Sequence, residues 1–153
     1  MTTSVPNQIG NYLKRVVRCG AVDGVKDFQG LVMHDSLVLI DTADARLTAE
    51  EQTDLVEQIV QSRPLGVFFT GPAGALMFDR LLHALETPAH PLPMMTNFSS
   101  DALPQAVEEF LYATLPAEEC WGRWQGYLLI SVGGSVHELE EAAISVIAST
   151  AQP

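Results

Sequence analysis

Hydrophobic positions in this chain fall into short unbroken runs, with amphipathic stretches between them. Leu37 to Asp41 is apolar without alternation and ends on an acid. A strand buried on both faces of a parallel sheet reads this way. Thr48 and Glu51 have the spacing of a capping box, which predicts a helix start. Behind it, Leu55, Val56, Ile59 and Val60 share one helical face, and Glu50, Glu51, Asp54 and Glu57 turn outward. Pro64 ends that helix, and Gly66 to Thr70 is the next strand. A strand, helix and strand of these lengths imply parallel pairing through a right-handed crossover.

The flanking segments extend this unit. Residues 1–6 read as a flexible arm. From Asn7 to Cys19, the residues Ile9, Tyr12, Leu13, Val16 and Val17 recur at helical spacing before Gly20, which predicts an N-terminal helix over 7–19. Its polar face carries Lys14, Arg15 and Arg18. Phe28 to Met33 is a short apolar run that His34-Asp35 could turn back as an antiparallel edge strand. After the central unit, Ala75 to Glu86 carries Leu76, Met77, Leu81, Leu82 and Leu85, and predicts a well-covered helix. Thr87 to Pro93, with three prolines, reads as a rigid loop. Met94 to Asn97 is a third strand, and Ser99, Ser100 and Asp101 are cap candidates for a helix to about Tyr112. An irregular segment, Pro116 to Gly126, holds both tryptophans and precedes a fourth strand, Tyr127 to Val132. Gly133-Gly134 is the turn, and Ser135 with Glu138 forms a second capping box before the last helix.

The order predicts a single α/β domain over 1–153. It has three layers, a mostly parallel sheet of about four strands, helices on both faces and the antiparallel edge strand named above. It resembles Rossmann-like and flavodoxin-like folds in general order. Such an order hosts many functions and selects none.

Charge changes the picture more than length does. Nineteen acids oppose eight bases, for a formal net charge of −11. Lys14, Arg15, Arg18 and Lys26 precede Asp27, with Asp23 as the one acid among them. The remaining acids face Arg46, Arg63, Arg80 and Arg123. Such a body repels nucleic acid and anionic membrane, and attracts basic partners. No apolar run approaches the ~20 residues of a membrane span. The polar N-terminus predicts a cytoplasmic protein. Cys19 and Cys120 lack CxxC spacing and suit a reducing compartment.

In folds of this order, ligands bind beyond the carboxyl ends of the strands. Asp41, Thr42 and Asp44 follow the first strand, and Thr70 and Gly71 the second. Thr96, Asn97 and Ser99 follow the third, and Ser131, Gly133, Gly134 and Ser135 the fourth. Turn geometry alone also calls for these residue types. Neither Gly-rich turn is GxGxxG or a P-loop. Asp41 and Asp44 are a weak pair for Mg²⁺, so no metal and no cofactor is expected. Ser135 is not in a GxSxG elbow, and the four histidines show no ligand spacing. Trp121-Gly122-Arg123-Trp124 is a different signal, because Trp and Arg are enriched in interface hot spots.

The expectation is a small acidic cytoplasmic binding protein, non-enzymatic, engaging a basic protein partner, as an immunity-type inhibitor of a toxin does. Partner-binding candidates are Trp121, Arg123 and Trp124, the acids Glu50, Glu51, Asp54 and Glu57, and Glu138, Glu140 and Glu141 on the last helix. The alternative is a small-molecule or nucleotide-binding domain, an enzyme included, working at the strand carboxyl edge.

Overall fold

The computed structural model describes residues 6–43, 47–86 and 94–150. The sequence readings of the arm at 1–5, of Asp44 and Arg46, and of the proline-rich loop at 87–93 lie outside them.

The central unit forms as the sequence predicts. β3 (Ser36–Asp41) pairs in parallel with β4 (Gly66–Thr70), and α1 (Ala49–Ser62) connects them. The Thr48 hydroxyl accepts the Glu51 N–H at 3.1 Å, and the Glu51 carboxylate accepts the Thr48 N–H at 3.0 Å. Then come α2 (Gly74–Leu85), β5 (Met95–Phe98), α3 (Leu103–Ala113), β6 (Gly126–Val132) and α4 (Val136–Thr150).

The N-terminal helix is a correction. Residues 7–19 lie in a β-hairpin, β1 (Asn7–Tyr12) and β2 (Arg15–Val22). Along β2 the burial alternates, with Val17 and Cys19 buried and Arg18 exposed. β-branched Val16, Val17 and Val22 suit a strand, and β2 gains a full parallel ladder against β6. The turn places Leu13 (φ 51°) and Lys14 (φ 64°) both in the left-handed region. That is the backbone of a type I′ hairpin, built here without glycine.

The antiparallel edge is therefore β1, not Phe28–Met33. Val25–Gly30 is a 3-10 helix whose N-terminus is held by Asp27, which accepts the Gly24 N–H at 3.2 Å. Phe28 and Met33 point into the core instead of pairing. Among the described residues the sheet has six strands in the order β1-β2-β6-β3-β4-β5, with β1 alone antiparallel.

Two cores explain the unbroken apolar runs. Val38, Ile40, Val67 and Phe69 pack under α1 and α2, with Leu55, Ile59, Met77 and Leu81. Leu37, Leu39 and Phe68 face the other side, beneath α3 and α4, with Val107, Phe110 and Ala143. Side chains alternate along a strand, so burial on both faces makes every position apolar. α2 is less covered than its composition predicts, since Leu76 and Leu82 are 46% and 37% exposed. The apolar face is wider than the surface that α1 and β4 can bury.

Candidate functional site

The strand order creates a switch point. From β3 the chain moves outward through β4 to β5, then returns so that β6 lies on the other side of β3. α1 leaves β3 on one face, and α4 leaves β6 on the opposite face. In open α/β sheets the ligand crevice lies at such a point, beyond the carboxyl ends of the two strands.

Asp41 and Ser131 are register partners there, and Asp41 also pairs with Thr70. All three are buried. Burial pushes the Asp41 carboxyl up to about 6, and the negative charge of Glu138 adds to this. The Ser131 hydroxyl opposes the shift, although its oxygen makes no full hydrogen bond to any described group. Thr42 has a structural task. Its hydroxyl donates to the Thr70 carbonyl at 2.8 Å and accepts the Ala73 N–H at 3.0 Å, tying the end of β3 to the turn into α2.

Glycine lets the turns approach the strand ends closely here. Gly71 has φ +91°, and a Cβ there would lie 2.8 Å from the Thr42 carbonyl oxygen and 2.9 Å from Asp41 Oδ1. A Cβ on Gly134 would meet the Ala43 side chain at 2.7 Å and collide outright with the Ser131 hydroxyl. Gly133 has φ 78° and donates its N–H to the Val22 carbonyl at 2.8 Å. The two Gly-bearing turns are thus packed down on the strand ends.

The remaining edge candidates do not join them. Asn97 pairs with Phe68, two residues before the end of β4, on the outermost parallel strand. Its Oδ1 accepts the Phe98 N–H at 2.8 Å, which blunts an exposed sheet edge. Ser99 is buried and accepts the Asp101 N–H at 3.1 Å. α3 starts after Ala102 without a side-chain cap, with Pro104 in its first turn, so Ser99, Ser100 and Asp101 do not cap it as expected. Ser135 accepts the His137 N–H at 3.2 Å and serves as a helix cap.

The aromatic segment separates into two roles. It forms a 3-10 helix, Glu118–Arg123, at the amino ends of the parallel strands. Trp124 is buried under Arg15 and stacks edge-on with Tyr127, so it closes the core and is not a free anchor. Arg123 is held by Asp35 at 2.9 Å. Trp121 alone of the three is a large exposed apolar surface, at 43%.

The acids are distributed on both helical layers. Glu50, Asp54 and Glu57 are exposed on α1, while Glu51 is engaged in its cap. Glu138 and Glu141 are exposed on α4, and Glu141 pairs with His137 at 2.6 Å. Glu140 is half-buried and adds to the shift that burial gives Cys19, whose thiol is pushed up to about 12. Both cysteines are buried and free. Among the described residues, no three His, Cys, Asp or Glu side chains converge as a metal site, and no helix is long and apolar enough to cross a membrane.

Sequence reasoning placed Ser131 at the end of the fourth strand, but not its pairing with Asp41 or the nearby charge of Glu138. Neither has a local signal, because both depend on β6 inserting beside β3.

No family model and no curated protein matches the chain. Among solved structures, the chain is similar to UDP-N-acetylmuramate-alanine ligase MurC of Thermotoga maritima, at a TM-score of 0.60 and 10% identity. The match covers 94% of this chain and 30% of that one. The likeness is one of fold, a mixed α/β architecture of Rossmann-like kind. The described residues of this chain hold six strands, against about four and a possible antiparallel edge expected from sequence, because residues 7–22 form a hairpin.

Proposed function

We propose that this is a non-enzymatic binding protein whose acidic helix faces engage a basic protein partner, in the manner of an immunity-type inhibitor. The observation that carries the reading is the set of exposed acids on both helical layers. Asp54 and Glu57 on α1, and Glu138 and Glu141 on α4, stand in solvent. A surface of one sign raises encounter rates with a partner of the other sign.

A second reading keeps a small-molecule or nucleotide site at the carboxyl edge. The raised Asp41 carboxyl next to the unpaired Ser131 hydroxyl favours it, since perturbed groups gather at working sites.

The test is binding kinetics against an immobilised partner recovered with the protein from its host. The on-rate should fall between low and physiological salt, and fall again when one acid cluster is neutralised, either Asp54 and Glu57 on α1 or Glu138 and Glu141 on α4. An on-rate indifferent to salt and to these charges would sink the proposal. Saturable stabilisation by a nucleotide, lost in Asp41→Asn, would move the assignment to the carboxyl edge.

A further inference from the structure

α1 and α2 pack side by side and leave a groove of about 500 Å³ on the outer face of their layer. Thr53, Val56 and Glu57 line it from α1, and Leu76, Asp79 and Arg80 from α2. Each set lies at the i, i+3, i+4 spacing of a single helical stripe, so the groove runs along both helices. Its size is in the range of ligand-holding clefts.

Three features of the groove bear on what it holds. Leu76 is 46% exposed, on a helix whose composition predicts full coverage. Glu57 and Asp79 on the rim make no ion pair with any described residue, and Asp54 is exposed beside them. Arg80 also lines the groove, with its Nε shut off from solvent, so an occupant meets the acids of the lining and not this donor. A groove of similar size between α3 and α4 is built differently, because its Glu141 already pairs with His137.

We infer that the α1–α2 groove is the docking site for the partner: an amphipathic segment of a protein, with apolar side chains against Val56 and Leu76 and Lys or Arg facing Glu57 and Asp79. This rests on the basic-partner reading and gives it a location. The mode is that of a helix or extended segment laid in an apolar groove, with flanking charges fixing its orientation.

The probe is a synthetic amphipathic peptide of leucine and lysine, with a leucine and glutamate counterpart as control. Amide shifts of the isotopically labelled full chain are followed at low and physiological salt. The lysine peptide should shift Thr53, Glu57, Leu76, Asp79 and His83, and the glutamate peptide should not. Leu76→Ser and Asp79→Asn should each weaken binding about tenfold, as loss of an anchor contact does. Both positions are exposed, so an unchanged spectrum of each free variant checks that the fold is intact. Shifts confined to Glu138, Glu141 and Ser145 would overturn the groove while leaving the basic-partner reading standing. Equal binding of the glutamate peptide would overturn the charge assignment. Absence of binding by either peptide would overturn the groove and count against the wider reading as well.

Discussion

Arg15 lays its guanidinium over the Trp124 indole, 3.8 Å from the ring centroid, and donates its Nε–H to the Trp124 carbonyl at 3.2 Å. The two residues are 109 positions apart. Arg15 also donates to the Leu13 carbonyl at 3.1 Å, so one side chain braces the hairpin turn and the segment before β6 together. This contact holds the N-terminal hairpin against the amino end of the sheet.

Arg15→Ala should therefore destabilise the fold by about 1–3 kcal/mol, the sum of a partly desolvated cation–π contact and a hydrogen bond to backbone. Arg15→Lys should recover little, because an ammonium cannot stack and donate in the same plane. Denaturant melts of both variants measure this. Full recovery by lysine would reduce the contact to charge alone.

Phe68 is fully buried at the centre of β4, with its ring edge-on to Phe110 at 5.8 Å. Phe68→Ala should cost roughly 3–5 kcal/mol, as large-to-small core changes do. The check is the denaturant midpoint at unchanged slope. A loss below about 1 kcal/mol would contradict the placement of β4 between β3 and β5.

Asp41 gives a pH signature with a definite sign. Its folded carboxyl stands at about 6, above its ordinary value of 3.8. A group raised on folding contributes its stability below the unfolded value, and that stability is lost as pH rises through the folded value. The loss should run from about pH 4 to pH 7, and should amount to about 2 kcal/mol after discounting for solvent screening. Asp41→Asn should remove it. The variant's advantage over the parent in unfolding free energy should open across that window and then level off. A difference that stays flat from pH 4 to pH 7 would show Asp41 to be ionised freely. Partner binding by the variant should be unchanged under the proposed function.

The local elements were legible where a residue's neighbours in sequence are also its neighbours in space. The Thr48–Glu51 box, the strands at Leu37–Asp41 and Gly66–Thr70, and the inner face of α3 are of this kind. Helical i, i+3 contacts and continuous apolar runs are short-range consequences of burial, so a single chain displays them. The net charge of −11 was likewise fixed by composition.

What the tertiary structure decided was everything that depends on strand order. Residues 7–19 offer an apolar pattern at helical spacing, and the ladder of β2 on β6 selects the strand instead. Insertion of β6 beside β3 brings Ser131 to Asp41, sets Glu138 near both, and lowers Gly134 onto the strand ends. The same order carries Asn97 away from the crevice and buries Trp124 beneath Arg15. These pairings join residues as far apart as Val16 and Gly126. Their free energy comes from packing and backbone hydrogen bonds formed across the sheet, which no local spacing records.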